Sequence, residues 1–185
     1  AWTRPWRGTT HADMAAAPAP DALLAPLARL VTDEPALVAV AGRRTATLAV
    51  PDAARAIVLA ALATRGDRRP LVVAVPTGAD AERLAHDLAA FVGHDEVELF
   101  PAWETLPFER VSPSVETMGR RMRLMWRLRS DDRAPRVVVA PARALVQRLG
   151  PHVEDCEPVG GAPGAQLDLD RLGAELVAAG YRREY

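Results

Sequence analysis

Apolar residues along this chain fall into two alternating textures, and the alternation predicts an architecture. Short continuous runs, "LVVAV" (71–75), "VELF" (97–100) and "RVVVA" (136–140), have the length and β-branching of strands. The first is apolar throughout, as expected of a strand buried on both faces of a parallel sheet. Two further apolar runs, "LVAVA" (37–41) and "ATLAV" (46–50), flank a "GRR" turn. Between the runs lie segments of helical period. These are "DALLAPLARLV", bent at Pro26, "PDAARAIVLAALATRG", opened by Pro51 and Asp52 and stopped by Gly66, and "GADAERLAHDLAAFVG", ending at Gly93. A helix from Val115 to about Arg129 and another over "ARALVQRLG" complete the unit. Strands alternating with helices of this length predict an α/β fold, a mostly parallel sheet flanked by helices.

The pattern breaks at both ends. Residues 1–20, rich in Ala, Pro and Thr, have no period and read as a disordered lead, with Met14 a candidate start. Residues 21–150 form the α/β domain. After Pro151 the texture turns Gly/Pro-rich and acidic, then "LDLDRLGAELVAAGY" reads as one amphipathic helix, so 151–185 is taken as the start of a second, α+β domain. Its apolar residues Leu169, Leu172, Leu176 and Val177 lack cover on this reading, which predicts that the tail is poorly ordered. The chain opens on Ala and stops at "GYRREY", and it reads as a piece of a longer protein.

Composition narrows the chemistry. A net charge of −1 implies no overall basic field for nucleic acid or membrane. All 23 basic residues are arginine, which excludes Schiff-base catalysis and a P-loop lysine. A lone Cys156 fits a reducing compartment, and with no long apolar run the chain reads as cytoplasmic. The histidines His11, His86, His94 and His152 fall at no ligand spacing, so no metal is expected. The acidic flanks of Cys156 argue against a reactive thiol. Glu104, Glu109 and Glu116 have no base or nucleophile at a telling spacing.

Two turns are candidates for a nucleotide phosphate. "VPDAARA" (50–56) has no glycine, lysine or hydroxyl, so Pro51, Asp52, Ala53, Ala54 and Arg55 offer neither a nest of N–H groups nor a magnesium ligand. "VPTGADAE" (75–82) has Thr77 and Gly78 before a helix and reads as a simple N-cap. In the helix from 115, Ser112 is expected to cap with Pro113 at the first position, and Val115, Met118, Met122, Met125 and Trp126 to form the core face. Arg120, Arg123 and Arg127 share another face, either a solvated one or a stripe for phosphates or an acidic partner.

The stretch "FPAWETLPFERVSPSVETMGRR" (100–121) carries a proline at every sixth position, with Trp103, Leu106, Phe108 and Val111 between them. Ordering such a segment costs backbone entropy that only burial of all four side chains can offset, so it predicts a fixed, anchored loop.

These residues carry a resemblance. "FPAWETLPFERVSPSVETMGRR", then "RVVVAPARALVQRLGP", then "LGAELVAAGYRREY" resemble, in order and spacing, the N-terminal region of bacterial transcription-repair coupling factors over about Ala46–Tyr185. The motif anchors are Trp103, Glu104, Leu106, Pro107, Phe108, Ser112 and Pro113. The arginine-only, alanine-rich composition resembles that of actinobacteria. The resemblance implies a module similar to domain 1a of UvrB whose P-loop, at Pro51–Arg55, is degenerate, followed by the start of a UvrA-interaction domain. It also implies no catalysis and no cofactor for this chain. ATP and magnesium, RNA polymerase and DNA belong to downstream domains of a translocase, and UvrA and the intramolecular motor domains are the expected partners, without a membrane. An active UvrB-like ATPase and a stand-alone protein-binding scaffold remain open alternatives.

Overall fold

The computed structural model describes residues 22–66, 69–105, 113–149, 157–158, 166 and 168–178. Helix α1 (Ala25–Leu30) has Pro26 in its first turn, where a missing N–H costs nothing, so the proline starts the helix instead of bending it. Helix α2 (Pro35–Val40) takes up most of "LVAVA" for the same reason, with Pro35 in its first turn. Residues 46–50 belong to no helix or strand. A short 3₁₀ turn (Asp52–Ala54) leads into α3 (Arg55–Arg65), which stops at extended Gly66. Then follow β1 (Leu71–Val75), α4 (Gly78–Val92), β2 (Val97–Leu99), α5 (Val115–Arg127), β3 (Val137–Pro141), α6 (Ala142–Val146) and α7 (Leu169–Ala178). Helix α4 ends at Gly93, whose φ of 96° is the left-handed backbone that glycine tolerates.

The three strands are parallel in the order β1-β3-β2, in register from Leu71 opposite Val137 and Val97 opposite Val137. The central strand β3 is buried at all five positions. Ala28, Ala56, Ala60, Ala63, Ala81 and Leu88, from α1, α3 and α4, pack with Val137 and Val139 on one face. The alanines let helix and sheet backbones approach closely, so a core with few large side chains still fills. On the other face Leu124 of α5 and Ala144 of α6 pack with Phe100, Val138 and Ala140. The α/β class read from the sequence is the architecture found: a parallel sheet flanked by helices.

Strand β1 departs from expectation. It alternates half-buried and exposed residues, with Val72 53 % exposed. It is an edge strand, and α5 and α6 pack over β3 and Phe100, so β3 takes the place buried on both faces. The N-terminal lead, residues 106–112 and most of the tail after Gly150 lie outside the described residues, so Leu106, Pro107, Phe108, Val111 and Ser112 are not placed.

Candidate interaction site at the carboxyl ends of the strands

The chain returns from β1 to α4 on one face of the sheet and from β3 to α6 on the other. Neighbouring strands whose connections leave in opposite directions open a crevice at their carboxyl ends, where α/β proteins place ligands. Here it is a cleft of about 410 Å³ lined by Thr77, Gly78, Glu82, Trp103, Glu104 and Arg143, among others. The Thr77 hydroxyl accepts the Asp80 N–H at 3.1 Å and donates to the Asp80 carboxylate at 2.7 Å, which holds that carboxyl below its ordinary range. This is a helix N-cap. A Cβ on Gly78 would meet nothing within 4 Å, so no close approach requires glycine there. Among the described residues the charged groups lining the cleft are two carboxylates, Glu82 and Glu104, and one guanidinium, Arg143.

The motif residues form the cleft's wall. Ser114 caps α5, its hydroxyl accepting the Thr117 N–H at 3.1 Å. The cap is thus Ser114, not Ser112, and Pro113 precedes the helix instead of opening it. The physical reason lies across the loop. The Ser114 hydroxyl also donates to Glu104 Oε1 at 2.8 Å, and the Thr117 hydroxyl donates to the same oxygen. Thr117, first among these groups, lowers the Glu104 carboxyl to about 2. Glu104 and Ser114 stand at the two ends of the stretch 105–113, and their bond ties those ends together.

Trp103 is held at its backbone and at its ring. Its N–H donates to Gln147 Oε1 at 2.7 Å, and its carbonyl accepts from Gln147 Nε2 at 3.3 Å. Its ring centroid lies 4.3 Å from the guanidinium carbon of Arg121, which also lies 4.1 Å from the centroid of the Phe100 ring. Arg121 is 1 % exposed, donates through Nη1 to the Pro101 carbonyl at 2.7 Å, and leaves Nε and Nη2 without a hydrogen bond. Burial lowers its pKa.

Arg121 corrects the reading of α5. The buried positions are Thr117, Arg121 and Leu124, spaced four and three apart, whereas Val115 is 75 % exposed and Met122 is also exposed. Of the five residues expected on the core face, Met125 packs half-buried against the Phe100–Leu124 cluster and Met118 and Trp126 are half-buried, while Arg121, close to two aromatic rings, takes the fully buried position. Sequence hydrophobicity scores arginine as polar, and only Trp103 and Phe100 nearby could have signalled the stack.

The arginine stripe divides. Arg127 is almost enclosed and binds Glu98, the Arg133 carbonyl and the Asp95 carbonyl at 2.7–2.8 Å, tying α5 to the start of β2. Arg123 pairs with Glu98 at 2.9 Å and Arg120 with Glu116 at 2.6 Å, and both keep large exposed fractions. Arg120 lines a trough of about 530 Å³ with Glu82, Ala85, His86, Ala89, His94, Val97 and Leu99. Asp52 and Arg55 form an exposed ion pair with each other at 2.8 Å. Among the described residues no group of three His, Cys, Asp or Glu side chains is placed to hold a metal ion, and no helix is long and apolar enough to cross a membrane.

Fold and site together define an α/β domain with a parallel sheet and a carboxyl-edge cleft walled by a Trp-Glu motif. No protein-family model matches the chain. It is similar to the transcription-repair-coupling factor of Mycobacterium tuberculosis, 40% identical over 142 residues, covering 74% of this chain and 11% of that protein. The factor of the same name from Haemophilus influenzae is 33% identical over 112 residues, 60% of this chain and 10% of that protein. For Escherichia coli the figures are 30% over 114 residues, 61% and 10%. The chain therefore belongs to the transcription-repair-coupling factor family, and it spans about a tenth of the length of the curated relatives it matches.

Proposed function

We propose that this chain is the N-terminal module of a transcription-repair coupling factor, acting as a non-catalytic platform for protein contacts and autoregulation in transcription-coupled nucleotide excision repair. In this reading its partners are UvrA and the motor domains of the same protein. ATP, magnesium, RNA polymerase and DNA are handled by downstream domains of a cytoplasmic DNA translocase. Residues 151–185 begin the UvrA-interaction domain.

The observation that carries the reading is the chemistry of the crevice where a nucleotide would sit. Its Thr77 hydroxyl is engaged by Asp80, and among the described residues a phosphate entering it would face Glu82 and Glu104 against Arg143. Pro51–Arg55, which correspond to a P-loop by resemblance, have no N–H at Pro51 and no lysine, and Arg55 is paired with Asp52. Isothermal titration of the chain with magnesium-ATP tests this. No saturable heat is expected up to millimolar nucleotide, and binding at millimolar or tighter would overturn the non-catalytic reading in favour of an active UvrB-like ATPase.

A further inference from the structure

Helix α5 ends at Arg127, and the chain then turns back on itself. The Ser130 carbonyl accepts the Arg133 and Ala134 N–H groups at 3.1 and 3.0 Å, and the Arg133 carbonyl accepts from Arg127 Nε at 2.8 Å. This turn sets the Arg133 guanidinium carbon 4.4 Å from the centroid of the Trp126 ring. The half-buried Trp126 side chain has one polar group, an indole N–H that can only donate, and it donates to Glu157 Oε2 at 3.1 Å. The other oxygen of that carboxylate, Oε1, pairs with Arg129 Nη2. Two donors at the end of α5 therefore hold both oxygens of a side chain 31 and 28 residues further along the chain. Glu157 lies beyond Gly150, where the sequence reads as leaving the α/β unit.

Net charge does not account for this hold. Asp131 and Asp132 stand exposed in the same turn, so with Glu157 three carboxylates meet Arg129 and Arg133, while Arg127 is paired with Glu98. The hold rests instead on two directed bonds, one from the indole and one from the guanidinium. We propose that Glu157 is a salt-sensitive latch that fastens the chain leaving the α/β unit to the C-terminal end of α5. Closed, it fixes the point from which the following segment departs; open, it frees that segment to take other positions. The Glu157 side chain is 69 % exposed, so salt screens the pair, and bonds of this exposure favour the closed form by roughly tenfold. The latch stands whatever the chain does in repair, and ATP binding by the chain would leave it intact.

Cys156, the single cysteine, adjoins Glu157 in sequence, so a nitroxide label on the intact chain reports the latch by NMR without any substitution. At low salt the label is expected to broaden the amide signals of Arg127–Ser130. The broadening should fall to about half in Glu157→Ala, and likewise at about 1 M sodium chloride, where charges are screened beyond about 3 Å. In the unlabelled chain the Trp126 indole N–H should exchange with water about fivefold faster in Glu157→Ala, and faster by a smaller factor in Arg129→Gln. The amide signals of Val137–Ala140 should stay in place in both variants, which separates release from unfolding. Broadening that is absent from the native sequence, or unchanged in Glu157→Ala, refutes the contact. A decrease in Glu157→Ala that high salt fails to reproduce makes Glu157 a fixed strut, and broadening seen only between labelled and unlabelled copies makes the contact intermolecular. Either result overturns the latch.

Discussion

Replacing Arg121 by methionine should leave the stability of the domain nearly unchanged, although Arg121 is the largest fully buried side chain among the described residues. Each desolvated cation–π contact, to Phe100 and to Trp103, contributes about 2 kcal/mol. The charged hydrogen bond to the Pro101 carbonyl adds roughly 1.5–3 kcal/mol. Against this gain of about 6 kcal/mol stands the several kcal/mol required to take an ion out of water, including the bare Nε and Nη2 donors. The two sides cancel to within a few kcal/mol. Methionine keeps an unbranched stem between the rings, gains a sulfur–aromatic contact and removes the desolvation cost, so its change should lie within about 1 kcal/mol of zero. Alanine leaves a cavity and should cost about 2–5 kcal/mol. Lysine retains the buried charge, is more strongly hydrated and cannot stack as a plane, so a loss of about 2–3 kcal/mol is expected. Urea unfolding followed by tryptophan fluorescence, at constant m-value, measures all three. A loss above about 3 kcal/mol for methionine, equal to that for alanine, would refute the balance and show that the cation itself stabilises the site.

Three further outcomes follow from the same wall. The folded-state pKa of Glu104 is depressed from 4.5 to about 2, so its bonds to Ser114 and Thr117 contribute stability present above pH 4.5 and lost as pH falls toward 2. The Glu104→Gln variant should flatten the acid limb of the stability profile in that window, and an unchanged profile would contradict the clamp. Thr77→Ala should cost about 1 kcal/mol through the lost cap of α4 and raise the Asp80 pKa toward its ordinary value, readable by carboxyl NMR titration. Gln147→Ala removes both bonds to the Trp103 backbone and should cost about 1–2 kcal/mol in urea unfolding, with no loss expected if solvent replaces them freely.

Local pattern made much of this protein legible. The runs at 71–75, 97–100 and 136–140 hold strands at 71–75, 97–99 and 137–141, and the helices between them begin and end near their proline, threonine and glycine signals, because caps and periodicity act within a few residues. The Thr77 cap and the motif at Trp103 and Glu104 were likewise visible as residue types in order. Tertiary structure decided what depends on neighbours distant in sequence. β3, not β1, is central and buried on both faces, since strand order is set by crossovers that no single segment encodes. Ser114 displaces Ser112 as the cap because its hydroxyl also meets Glu104, ten residues away. Arg121 turns inward because Phe100 and Trp103, brought together by the carboxyl end of β2, offer a cation two aromatic faces. A hydropathy pattern registers how much each residue avoids water, whereas stacking and shared hydrogen bonds depend on which residues the fold makes neighbours.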